Sequence, residues 1–239
     1  MNEVRDLGAG RYQTWQVFAD FCELAALAYQ QVPFQDAARE ERYLEVVGRY
    51  ERHEAQAFAR MLGQVVAGLE DEPCDFLGAA FQELELSNHW RGQFFTPVAL
   101  ARLCAEVQLD DGLFRGREFV TVNDPACGAG VQLLAFAQAV RAQGVNPQQR
   151  MFAIGQDIDE TAARMCFIQL ALSGIPAAVV IGDTLRLEER AVMLTPAYHL
   201  GFWAAKRRRE RGAPAVTMPL ADRQGQLALG LPESGSVAA

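Results

Sequence analysis

The chain has 239 residues, half of them hydrophobic, which is enough for one sizeable domain or for a small helical domain beside a sheet domain. Its formal charge of −8 argues against strong DNA binding by this chain alone, because phosphate neutralisation dominates such affinity. Five scattered cysteines without a CxxC pair and three distant histidines argue against a metal site, and the lack of a long uncharged stretch points to a cytoplasmic protein with no membrane partner.

Residues 1–90 read as a helical N-terminal region. Phe18, Phe21, Ala25 and Ala28 fall on one face of a first helix. Tyr43, Val46, Val47, Tyr50, Phe58, Met61, Leu62 and Val65 keep helical spacing as one longer helix, stopped by Gly68. Phe76, Leu77, Ala80, Phe81 and Leu84 give a third helix after Pro73. These stripes read as packing faces. A polar link over 87–92 leads to Gln93-Phe94-Phe95-Thr96-Pro97, where Thr96 is a good N-cap and Pro97 a good first helical residue. The helix that follows would bury Leu100, Ala101, Leu103, Cys104 and Val107.

From here the pattern changes. Phe119, Val120 and Val122 form an apolar strand that ends at Asp124, and Pro125-Ala126-Cys127-Gly128-Ala129-Gly130 makes a glycine turn into a helix. Such a unit brings bare backbone N–H groups against a ligand, as dinucleotide sites do. A carboxylate beside the turn would repel a pyrophosphate and suits an ammonium or sulfonium, such as the methionine end of S-adenosylmethionine. Cys127 reads as a small apolar filler. Met151–Ile154 is a second buried strand, ending at Gly155-Gln156-Asp157-Ile158-Asp159. Asp157 stands where doubly wound folds bind ribose hydroxyls, while Asp159 caps a helix from Glu160 to Ser173 that ends at Gly174. Ala178–Ile181 is a third strand, leading into Gly182-Asp183-Thr184-Leu185, where Asp183 could accept an adenine amine.

Ala191–Leu194 reads as a short fourth strand before Thr195-Pro196-Ala197-Tyr198. The run Lys206–Arg211 reads as a solvated helix end, with a phosphate contact as the alternative. Residues 91–212 form the sheet region, and 213–239, rich in Gly, Pro, Ala and Ser, read as a mobile tail.

The FTP segment at Phe95-Thr96-Pro97, the DPACGAG turn from Asp124 to Gly130, Gln156-Asp157-Ile158-Asp159 and Gly182-Asp183-Thr184-Leu185 occur in an order that resembles the modification subunit of type I restriction–modification systems, an adenine-N6 DNA methyltransferase. The resemblance covers roughly residues 75 to 200. It implies an α/β Rossmann-like fold with a truncated, mainly parallel sheet and S-adenosyl-L-methionine as cofactor. Phe95 and Thr96 would then lie by the cofactor. Asp124 with Gly128 would hold its methionine part, Asp157 its ribose and Asp183 its adenine, with Ala126, Ile158 and Thr184 also cofactor-binding. The family's catalytic Asn-Pro-Pro-Tyr follows the fourth strand, where its Asn and the next carbonyl accept the hydrogens of the flipped base's amine. Here Thr195, Pro196 and Tyr198 take those places, and Thr195 and Ala197 depart from the motif. The family also implies three further strands and a target-recognition region.

Two functions fit. One is a DNA methyltransferase-like protein that acts on DNA with help from a restriction–modification partner subunit. The other is a non-catalytic regulator or decoy that binds the cofactor or that partner. Methylation of RNA or protein shares the cofactor half and fits the FTP segment less well.

Overall fold

A computed structural model describes residues 3–7, 11–71, 73–84, 96–109 and 112–210. The tail beyond 210 and the segment holding Phe95 lie outside them. Helices come first: α1 (Glu3–Asp6), α2 (Thr14–Gln31), α3 (Ala37–Val47), α4 (Arg52–Leu69), α5 (Phe76–Glu83) and α6 (Val98–Gln108). Strands and helices then alternate through β1 (Val120–Asp124), α7 (Val131–Ala142), α8 (Pro147–Arg150), β2 (Met151–Asp157), α9 (Glu160–Leu172) and β3 (Ala177–Asp183). The described chain ends with β4 (Glu188–Leu194), α10 (Pro196–Leu200) and α11 (Trp203–Glu210).

The helical spacing between Tyr43 and Val65 belongs to two helices, not one. The Gly48 N–H donates to Leu44 at 2.9 Å to close α3, and Glu51 opens α4 in a capping box with Glu54. Reciprocal caps of that kind stop a periodic run even where the apolar pattern continues. Gly68 lies inside α4, where a Cβ would stand 2.3 Å from the Phe76 ring. Close packing on α5 explains this glycine, not helix termination.

The helical and sheet regions share one core. Phe18, Phe21 and Phe58 belong to the same buried cluster as Leu134, Met165 and Phe167. α2 lies against α9, and Arg42 clamps Glu23 of α2 with two bonds of 2.7 and 3.1 Å, while Arg164 of α9 reaches the same carboxylate at 3.6 Å.

The sheet runs β1-β2-β3-β4. β1, β2 and β3 are parallel, as expected. β4 is antiparallel to β3, with Ala178 opposite Leu194 and Asp183 opposite Glu188. Only Thr184–Leu187 separate the two strands, far fewer residues than the dozen or so that a parallel crossover needs. Among the described residues β1 pairs with β2 alone, and its Thr121 and Asn123 are exposed. An all-parallel half-sheet is normally covered on both faces.

One face of the sheet carries the main core. On the other, Phe119, Phe152 and Ala178 pack with Trp203 of α11. The basic run is only partly a solvated end: Lys206 Nζ lies 4.4 Å over the Trp203 ring and Arg207 4.3 Å over Phe152. Arg208 and Arg209 face outward. α6 also differs from its expected packing. It buries Ala101 and Ala105, whereas Leu100, Leu103 and Val107 stay exposed, because α6 meets α7 through its small residues. No helix among the described residues is long and apolar enough to cross a membrane.

Candidate functional site

The carboxyl ends of β1, β2 and β3 converge on the glycine turn. Asp124 closes β1 and its Oδ1 accepts the Ala126 N–H at 3.2 Å. The chain then folds back on β2: Cys127 N–H donates to the Gln156 carbonyl at 2.9 Å, and Gly128 N–H to Asp157 Oδ2 at 2.8 Å. Gly130 N–H returns to Cys127 O at 2.7 Å, and α7 begins there. Gly130 needs to be glycine on two counts. Its φ is 96°, and a Cβ would stand 2.8 Å from Cys166 Sγ. Cys127 and Cys166 sit buried under the turn on either side of Gly155. Their mutual hydrogen bond and burial hold the Cys166 thiol well above its usual range, which suits packing and not thiolate chemistry.

Asp157 also accepts the Asp159 N–H at 2.9 Å through Oδ1, while Asp159 caps α9 at Ala162. Ile158 between them is 60% exposed, an apolar side chain held open beside a carboxylate. At the end of β3, Asp183 Oδ1 accepts the Leu185 and Arg186 N–H groups, and Arg186 approaches its Oδ2 at 3.5 Å. Thr184 donates to the Pro125 carbonyl at 2.6 Å, which ties the third strand end to the glycine turn. The three strand ends thus form one continuous rim.

Charge on this rim is uneven. Asp183 has Arg186, but Asp124 and Asp157 have no Lys or Arg partner among the described residues. Burial pushes both carboxyls above their usual range; at Asp124 the charge of Asp157 adds to this, and at Asp157 that of Asp159. Two half-buried carboxylates with only backbone N–H partners make a place for a cation. A groove of about 260 Å³, lined by Cys104, Ala105, Val122, Asn123, Asp124 and Phe136 among others, opens beside Asp124. No metal-binding group of His, Cys, Asp or Glu occurs among the described residues.

Ala126, Gly128, Ile158 and Thr184 therefore stand on the same rim as the three aspartates. Thr96 precedes α6, but Pro97 is the N-cap and no side chain caps this helix, so the expected capping role of Thr96 fails. Phe95 falls outside the described residues. Thr195, Pro196 and Tyr198 lie at the opposite end of the sheet from the rim. Because β4 is antiparallel, Thr195 pairs with Ala177 at the start of β3, about 20 Å of strand away from Asp183. Its hydroxyl is fully buried; it accepts the Ala177 N–H at 2.9 Å and donates to Ile175 O at 2.8 Å. Pro196 starts α10, and the Tyr198 ring packs 5.8 Å from Phe152. These residues lock the hairpin at the far end of the sheet.

One residue of the site carries no sequence signal. Gln169, fully buried in α9, donates to the Ala129 carbonyl in the turn at 2.8 Å.

A family profile described as N-6 DNA methylase matches residues 79–218. Among solved structures, the chain is similar to a candidate class I S-adenosylmethionine-dependent methyltransferase from Listeria monocytogenes, at 14% identity and a TM-score of 0.42. That alignment covers 73% of this chain and 47% of the other, so this chain spans about half the length of the structure it matches. No curated protein matches the chain.

Proposed function

Because the chain belongs to the N-6 DNA methylase family, its profile match spanning more than half of the residues, we propose that the rim binds S-adenosyl-L-methionine for methylation of DNA adenine at N6. We further propose that the chain is the cofactor-holding part of a methyltransferase related to type I modification subunits. The observation that carries this reading is the pair Asp124 and Asp157, half-buried at adjacent parallel strand ends with no basic partner among the described residues. A cationic ligand relieves that arrangement, and a pyrophosphate would aggravate it. Asp124 faces the methionine end, Asp157 takes the ribose hydroxyls, Ile158 covers the adenine, and Asp183 with Thr184 bounds the adenine's amine. Thr96, at the mouth of α6, borders the same cofactor.

S-adenosylmethionine supplies an electrophilic methyl group. The protein's part is to bind and orient it for in-line attack by the adenine amine, and such positioning can account for several kcal/mol of a barrier, about 7–11 in the best cases. A flipped base also needs acceptors for its amine and a stacking surface. Thr195, Pro196 and Tyr198 do not provide them from the far end of the sheet. We infer that a partner subunit does, and the edge of β1 beside Asp124, which no strand among the described residues pairs with, supports that reading. A non-catalytic regulator of restriction–modification is the second reading, favoured by the same displaced motif.

Purified chain incubated with methyl-labelled cofactor and unmethylated DNA tests the proposal. The expected result is no label from the chain alone and label in adenine once the co-purifying restriction–modification subunit is added. Label in neither case supports the regulator. Robust transfer by the isolated chain contradicts both.

A further inference from the structure

Gln169 sits in α9 among buried Cys166, Phe167, Ile168 and Leu170. A Leu or Met would fill that space without burying an amide, which is costly unless every hydrogen-bonding group is satisfied. Here all are. Nε2 donates to the Ala129 carbonyl at 2.8 Å and to Asp75 Oδ1 at 3.0 Å, and Oε1 accepts the Leu77 N–H at 2.8 Å. Asp75 is the N-cap of α5, and the same oxygen takes the Gly78 N–H at 3.0 Å. One side chain therefore joins the first turn of α5 to the glycine turn, two segments more than fifty residues apart in sequence.

The turn is pinned on its opposite side by Asp157 and the Gln156 carbonyl, both on β2. Gln169 supplies the second anchor, and that anchor depends on where α5 lies. We propose that Gln169 is a positioning residue that couples the docking of α5 to the shape of the glycine turn, so that cofactor binding and α5 order rise and fall together. The inference rests on the reading of the turn as a cofactor site. Coupling of this kind is reciprocal: what α5 does for the cofactor, the cofactor does for α5.

Hydrogen–deuterium exchange on the full chain, with and without S-adenosylmethionine, separates the two ideas. In the unmodified protein the cofactor should slow exchange at the turn and also at Leu77 and Gly78. Protection of the turn alone overturns the coupling. Without cofactor, Gln169→Leu should speed exchange at residues 128–131 and at Leu77 by about ten-fold and weaken cofactor binding to a similar degree. Asp75→Asn keeps an acceptor for Gln169 and should stay near the unmodified values. Should Gln169→Leu fail to fold, Asp75→Ala, which removes the α5 cap and one of the two bonds that tie Gln169 to α5, should still speed exchange at the turn; an unchanged turn there overturns the proposal. If no cofactor binds to the unmodified chain, the cofactor reading fails, and the cofactor-free exchange of these variants still decides what Gln169 does.

Discussion

Asp157 and Asp159 lie two residues apart and differ sharply in what they hold, so replacing each with alanine separates ligand binding from folding. Asp157 uses one oxygen for the Gly128 N–H at 2.8 Å and the other for Asp159 N–H at 2.9 Å, which leaves a lone pair on each for a ribose hydroxyl. Losing a charged acceptor for a ligand costs roughly 1.5–3 kcal/mol, or about ten- to a hundred-fold in affinity. Asp157→Ala also frees Gly128, so the upper part of that range is expected. Asp159 instead caps α9 through Ala162 N–H at 2.9 Å. Its loss should cost about 1 kcal/mol of stability, near 2–4 °C in melting temperature for a domain of this size, with affinity almost unchanged. Calorimetric titration with S-adenosylmethionine beside thermal melts of both variants reads the two effects. Equal affinity losses would refute the assignment of ribose binding to Asp157.

Other substitutions probe the rest of the rim and the displaced motif. The Asp124 carboxyl has a raised folded pKa, so its contribution to stability is greatest below the ordinary carboxylate range and is lost as pH rises through the folded value. Asp124→Asn keeps an acceptor for Ala126 and should therefore raise the melting temperature of the unliganded protein at pH 7, while weakening cofactor binding about ten-fold; lower stability at pH 7 would contradict the charge argument. Thr195→Val removes two buried hydrogen bonds and should cost about 1–3 kcal/mol in stability without changing cofactor affinity, as denaturant melts and titration will show. The double change Thr195→Asn with Ala197→Pro, which rebuilds more of the family motif, should yield no methyl transfer, because the motif stands at the wrong end of the sheet; a gain in labelled DNA would show that the hairpin rearranges. Gly130→Ala should destabilise by more than about 1 kcal/mol and abolish measurable cofactor binding, since the turn holds φ 96° against Cys166.

The cofactor half of the fold was legible because each strand is a short apolar run closed by a carboxylate and followed by a helix start. Asp159, Gly174 and the glycine turn marked the boundaries that the structure shows. The direction of β4 was not legible: read as Ala191–Leu194, the strand leaves nine residues after Ile181, whereas β4 starts at Glu188, with four residues between it and Asp183, and the family pattern points to a catalytic strand there. Local chain length decides against the pattern, and Thr195 goes to the far end. The break at Gly48 was hidden because apolar spacing continues through it, and only the cap partners Glu51 and Glu54 end the run. Gln169 had no signal at all. A lone amide in an apolar helix gains meaning only when folding brings Asp75 and Ala129 to it.

The most direct test of the central claim is a calorimetric titration of the purified chain with S-adenosylmethionine, its demethylated product and NADH. The account predicts micromolar binding of S-adenosylmethionine, about −8 kcal/mol, and no heat from NADH. Binding of NADH with no response to either methyl-donor ligand would contradict it.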